Sequence, residues 1–117
     1  MMFVANLLVG LVALLHIGFL VLEMFFWDHP FGRKRFRMTP EYSKASATLA
    51  ANQGLYNGFL AAGLIWGLSS GELAIKIFFL VCVFIAGLFG GFTASRTILY
   101  IQALPALVAL MAVFLSG

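Results

Sequence analysis

The chain is short of most of what a soluble enzyme is built from. Of its 117 residues only 9% are charged, with seven Lys and Arg against four Asp and Glu, and there are two histidines and one cysteine. A lone thiol, Cys82, excludes an intrachain disulfide. His16 and His29 have no cysteine or carboxylate cluster at ligand spacing, so neither a zinc nor an iron site is expected, and no metal or cofactor. The apolar runs lack serine in their interiors and Asp28 falls between two of them, which removes a Ser-His-Asp centre. Glycine is plentiful, but it recurs at helix-packing spacing rather than in a phosphate-cradling loop.

What the chain does hold is apolar surface. Hydrophobic residues make up 63% and the mean hydropathy is +1.08, whereas a soluble domain has roughly 45–50% apolar residues. Four apolar runs, Met2 to Trp27, Tyr42 to Leu68, Leu73 to Phe92 and Thr97 to Leu115, use nearly the whole sequence. Each is near the ~20 residues that cross a bilayer as a helix. The expected fold class is therefore all-α: a polytopic membrane protein with four transmembrane helices in an antiparallel bundle and no soluble domain. The helices are placed at about 2–27, 40–68, 73–94 and 96–115, with a basic loop at 28–39, forming one transmembrane domain over 1–117. No cleaved leader is expected, because the first run lacks a basic start and a small-residue cleavage site.

The charges set a topology. Arg33, Lys34, Arg35, Arg37 and Lys44 lie in or beside the first connection, Arg96 lies in the third, and Lys76 is near the opposite face. The positive-inside tendency makes those two connections cytoplasmic and puts both termini on the non-cytoplasmic side of the cell inner membrane. Basic residues this close to a span are expected to meet anionic lipid headgroups, and nucleic acid is not expected as a partner.

Along the chain, Asn6, Val9, Ala13, His16, Leu20 and Glu23 recur at alternating three- and four-residue spacing, so they share the inward face of the first helix. Phe25, Phe26 and Trp27 close it as an interfacial belt. Asp28 to Gly32 read as a turn around Pro30, and Thr39-Pro40-Glu41 reads as a capped helix start. The second long helix then carries Asn52, Gln53, Tyr56 and Asn57, three carboxamides and a phenol within six residues. Its other side is a ridge of small residues, Ala47, Ala51, Gly54, Gly58 and Ala62. The third long helix has a similar ridge at Cys82, Ala86, Gly90 and Ala94, and the two ridges are expected to pack on each other. Lys76 is expected to extend to the outer interface, and Pro105 to kink the last helix.

Three motifs carry a family likeness. They are Leu22-Glu23-Met24-Phe25-Phe26-Trp27, the stretch from Ala51 to Leu64 built on Asn-Gln-Gly-Leu-Tyr-Asn-Gly, and Gln102-Ala103-Leu104-Pro105-Ala106-Leu107. Together they resemble a family of small bacterial membrane proteins known as a domain of unknown function, over nearly the whole chain. The resemblance implies a bacterial inner-membrane protein with four helices and no established activity.

Polar side chains inside hydrocarbon need partners and often mark sites. Taking ~1.5 Å per residue, Glu23 lies about 6–8 Å in from the basic end and His16 about 17 Å. Candidate ligand-binding residues are Glu23, His16, Asn52, Gln53, Tyr56, Asn57, Arg96, Tyr100 and Gln102, read as one polar column open toward the cytoplasmic leaflet. Glu23 is the strongest of them, either as a binding or proton-coupling acid or as half of a tie to Arg96. His16 is either a proton acceptor or a neutral hydrogen-bonded histidine. Three functions fit: a module that binds a small polar or amphipathic molecule, a small proton-coupled transporter working as an oligomer, and a lipid-modifying enzyme using Glu23 and His16. A homo-oligomer is compatible with each.

Overall fold

The structure, a computed structural model, describes residues 1–116. In chain order the elements are α1 (Met2–Phe25), a short α2 (Pro30–Arg35), the long α3 (Pro40–Ser70), α4 (Leu73–Thr93), a π-helical turn (Leu99–Ala103) and α5 (Leu104–Ser116). Among the described residues there is no strand, so the fold is all-α. Among the described residues three helices are long and apolar enough to cross a membrane: α1, α4, and the last helix counted from Leu99 to Ser116. That makes the chain compatible with a multi-pass membrane protein. The expected fourth span, α3, has 31 residues but is not among the three, because Asn52, Gln53 and Asn57 dilute its apolar run. The chain divides into two compact units, Leu15–Phe59 and residues 1–14 with the chain from Leu60 onward.

In the unit Leu15–Phe59 the basic connection is more ordered than the turn expected there. His29 caps α2, its Nδ1 accepting the Phe31 N–H at 3.1 Å. Pro30 follows at the first helical position, where its missing N–H costs nothing. Gly32 is buried because a Cβ there would run into the carbonyl oxygens of Phe26 and Trp27. The short helix closes with Arg37 at φ 54°, while the Met38 N–H reaches Arg33 O at 2.8 Å and the Arg37 N–H reaches Lys34 O at 3.4 Å. This is the closing pattern in which a left-handed residue turns the chain back, a position that usually takes glycine.

Side chains then tie the three helices of that unit. Asp28 Oδ1 accepts from Ser43 Oγ at 2.7 Å and from Arg33 Nη1 at 2.9 Å. Trp27 Nε1 donates to Ser46 Oγ at 2.9 Å. Thr39 caps α3 as its sequence suggests, with Oγ1 accepting the Tyr42 N–H at 3.1 Å.

In the other unit one cluster of apolar side chains is contributed by Ala5, Val9, Val12 and Ala13 of α1, Leu64 of α3, Leu80 and Val83 of α4, and Ala106, Ala109, Leu110 and Val113 of α5. Many of these are alanine or valine, small enough to let helix backbones come close. Large side chains on the outer faces, such as Leu7, Leu11 and Leu14 of α1 and Phe89 and Phe92 of α4, stay exposed.

The expected pairing of the two small ridges is corrected by the glycine contacts. A Cβ on Gly54 would lie 2.6 Å from Met24 Cγ and 3.2 Å from Leu20 O, and one on Gly58 would lie 2.7 Å from Leu20 Cδ1. The ridge of α3 therefore receives α1. On α4, a Cβ on Gly87 would meet the Ala103 backbone nitrogen at 2.6 Å, and Gly91 faces Leu99. That side of α4 receives the π-helical turn, while Ala86 and Ala94 are exposed. The contact between α3 and α4 runs instead through Gly63 under Phe79 and Gly67 under Lys76. Small residues predict that a backbone will approach; they do not say which one.

Pro105 acts one turn earlier than the kink expected at it. The Leu104 N–H bonds to Leu99 O, five residues back, so the helix widens just where the proline ring would crowd the carbonyl of Ile101.

Because the Gly87 contact is with backbone, Gly87→Ala should lower stability by about 1–3 kcal/mol. Gly18→Ala should not, since nothing lies within 4 Å of its Cβ position. Equilibrium unfolding in mixed micelles checks both.

Candidate functional site

The close approach of α1 to the glycine face of α3 determines which polar groups meet. With Gly54 and Gly58 admitting Leu20, Glu23 and Met24, Glu23 comes beside Asn57, three residues after Gly54. The Asn57 Nδ2 donates to Glu23 Oε1 at 2.5 Å. Both residues are half-buried. A carboxylate bonded by an amide is held more strongly than a neutral acceptor would be, yet an amide leaves its negative charge uncancelled. Within this unit Glu23 forms no ion pair; the basic side chain nearest in sequence, Arg33, is engaged by Asp28 at 2.9 Å.

The other candidates of that unit divide by face. His16 is fully buried, seven residues before Glu23 on the same stripe, with its ring edge-on to Phe19 at 5.1 Å. Asn52, Gln53 and Tyr56 do not lie between His16 and Glu23, as a continuous column required. All three are exposed, on the side of α3 away from the glycines, and Tyr56 packs edge-on to Phe59 at 5.8 Å. At 100° per residue Asn52 stands about 160° from Gly54, so one face cannot present both to α1.

Arg96, Tyr100 and Gln102 belong to the other unit. Arg96 is exposed in the connection after α4, and its carbonyl accepts the Leu99 N–H at 3.0 Å. Tyr100 is 69% exposed and Gln102 half-buried, both within the π-helical turn.

A second polar pair was not expected from the sequence. Lys76, rather than reaching an interface, is 2% exposed. Its Nζ donates to Asn6 Oδ1 at 2.8 Å and lies 3.9 Å from Met2 Sδ. Its stem runs over Gly67, where a Cβ would meet Lys76 Cγ at 2.9 Å. The available signal was Asn6, a polar residue at the head of the inward stripe of α1 with no partner assigned. Two ionisable side chains are thus each matched to an amide on another helix.

Apolar helices with polar groups paired between them define the class, a small helical protein compatible with multi-pass insertion in a membrane. Residues 10–114 match the family described as "Protein of unknown function (DUF1304)", and the chain belongs to that family. It is also similar to the "Uncharacterized protein YpaA" of Lactococcus lactis subsp. lactis (strain IL1403), at 33% identity over 108 residues, covering 89% of this chain and 91% of that protein. No solved structure matches. The family is the one the three motifs resemble, and its matched stretch contains both Glu23 and Asn57.

Removing one member of a buried polar pair leaves the other unsatisfied, whereas replacing both with apolar groups can be near neutral. Asn6→Leu should therefore destabilise by about 1–3 kcal/mol, and adding Lys76→Met should restore most of that loss. Unfolding midpoints of the two variants in one detergent provide the check.

Proposed function

We propose that this protein is a four-span protein of a bacterial inner membrane, with α3 as the fourth span and both termini on the non-cytoplasmic side. Its role is to bind a small amphipathic molecule through Glu23. The observation that carries the reading is the Glu23 carboxyl group, bonded by Asn57 and engaged in no ion pair within its own unit. In surroundings of low polarity such a group is complementary to an ammonium or another cationic hydrogen-bond donor. Its place near the basic end of α1 would let the apolar part of a ligand remain among lipid chains while the head reaches Glu23. The length of α3 supports the topology: 31 residues extend about 46 Å, more than the ~30 Å hydrocarbon layer, so its first turns can stand outside the membrane.

A proton-coupled transporter would use the same carboxyl group, and the lack of an ion pair to it within its unit favours that second reading to the same degree. The difference lies in turnover: a transporter moves substrate with proton flux, a binding module does not.

Dodecylamine and dodecanoate, which share a chain and differ in head charge, test the proposal in a thermal-unfolding titration. Dodecylamine should raise the midpoint of the wild type, by the equivalent of about 2.7 kcal/mol at a hundredfold excess over Kd, and dodecanoate should not. In Glu23→Gln the amine effect should disappear while the variant still folds. Equal amine effects in both proteins would refute the proposal. Amine-driven proton uptake in vesicles that depends on Glu23 would decide for the transporter.

A further inference from the structure

The polar face of α3 that turns away from Glu23 has its own regularity. Tyr42, Ala45, Leu49, Asn52, Tyr56 and Phe59 follow one another at spacings of three, four, three, four and three, and all six are exposed. Leu49 is 69% exposed, and Tyr56 and Phe59 are each 55% exposed. A seam repeating every three and four residues is what a helix presents to a second helix wound around it with a left-handed crossing. Next in the series is Gly63, which is covered by the Phe79 ring of α4. The free seam therefore ends after Phe59.

We propose that this seam is the interface between two copies of the chain, α3 packing in parallel on α3 of the second copy with Asn52 facing Asn52. The inference rests on α3 crossing the bilayer, as proposed above. Three features select a second copy as the occupant. First, a carboxamide exposed in a span needs a partner, since lipid offers none. Second, Asn52 carries both a donor and an acceptor, so it is complementary to itself, and copies inserted with the same orientation are related by a two-fold axis along the membrane normal that brings each seam residue opposite its own image. Third, that axis would place any seam charge against a like charge, and the six residues include none; Glu41 and Lys44 lie beside the seam.

The polar residue would also fix register. A single asparagine in an otherwise apolar seam specifies one alignment, because any slip leaves its amide without a partner. Gln53, exposed next to Asn52, would add a flanking amide to the same contact.

Cysteine cross-linking in native membranes tests this directly. In a Cys82→Ala background, Leu49→Cys and Phe59→Cys should each give a disulfide-linked dimer on mild oxidation. Leu11→Cys on α1 and Phe114→Cys on α5, exposed by 47% and 63%, should not. Absence of cross-links at the seam, or equal yields at the control positions, overturns the proposal. In lipid vesicles, energy transfer between labelled copies should show Asn52→Leu self-associating roughly three- to thirty-fold more weakly than the wild type, with Asn52→Gln close to wild type. Equal association of all three overturns the role of the amide. Labelling of Thr39→Cys and Ser70→Cys with a membrane-impermeant maleimide separates the two readings. Reaction from opposite sides with no seam cross-link refutes only the dimer, and reaction from the same side refutes the fourth span on which it rests.

Discussion

A polar group cut off from water must find its partner within the protein, and this constraint decides where each charge inside this fold can sit. Glu23 is met by Asn57 and Lys76 by Asn6, each across two helices and each charge answered by an amide rather than by an opposite charge. An amide satisfies hydrogen bonds without cancelling charge. The two pairs therefore hold α1 to α3 and α1 to α4 by hydrogen bonds to amides.

The constraint operates only because the backbones can come close. Gly54 and Gly58 admit α1 at the level of Glu23, and Gly67 admits the stem of Lys76. A methyl group at Gly54 would press on the Leu20 carbonyl oxygen at 3.2 Å and one at Gly67 on the Lys76 backbone nitrogen at 3.1 Å, so packing and polar pairing bear on the same contacts. At the basic end the same logic is carried by side chains in place of glycine: Asp28 draws together Ser43 and Arg33, and Trp27 reaches Ser46.

Much of the fold was legible in the sequence. The apolar runs mark the long helices, Thr39 and Pro40 mark a helix start, and the stripe from Asn6 to Glu23 marks the inward face of α1, because each signal is local or periodic. The pairing of faces was not. The ridge of α3 carries the same small residues whichever neighbour it receives, and only the assembled structure gives it to α1. For the same reason Asn52 and Tyr56 could not be assigned with Asn57 on the basis of proximity in sequence: at helical spacing they stand about 140° and 100° from it, while Gln53, one turn before Asn57, shares its side and is nonetheless exposed. The burial of Lys76 was missed because a lysine near the end of a run usually reaches the interface, and its partner lies 70 residues away. The widening before Pro105 was readable as a disturbance, but a missing N–H does not specify whether a helix bends or adds a residue to its turn.

The central claim is that the amide of Asn57 holds the carboxylate of Glu23 as a specific interaction between α1 and α3. A double-mutant cycle over Glu23→Met and Asn57→Leu, read by equilibrium unfolding in mixed micelles, tests it most directly. A coupling of about 1–2 kcal/mol, with the double variant less damaged than the two singles sum to, is the result expected. Losses that add to within about 0.3 kcal/mol would mean that the two groups do not interact, and would contradict the claim.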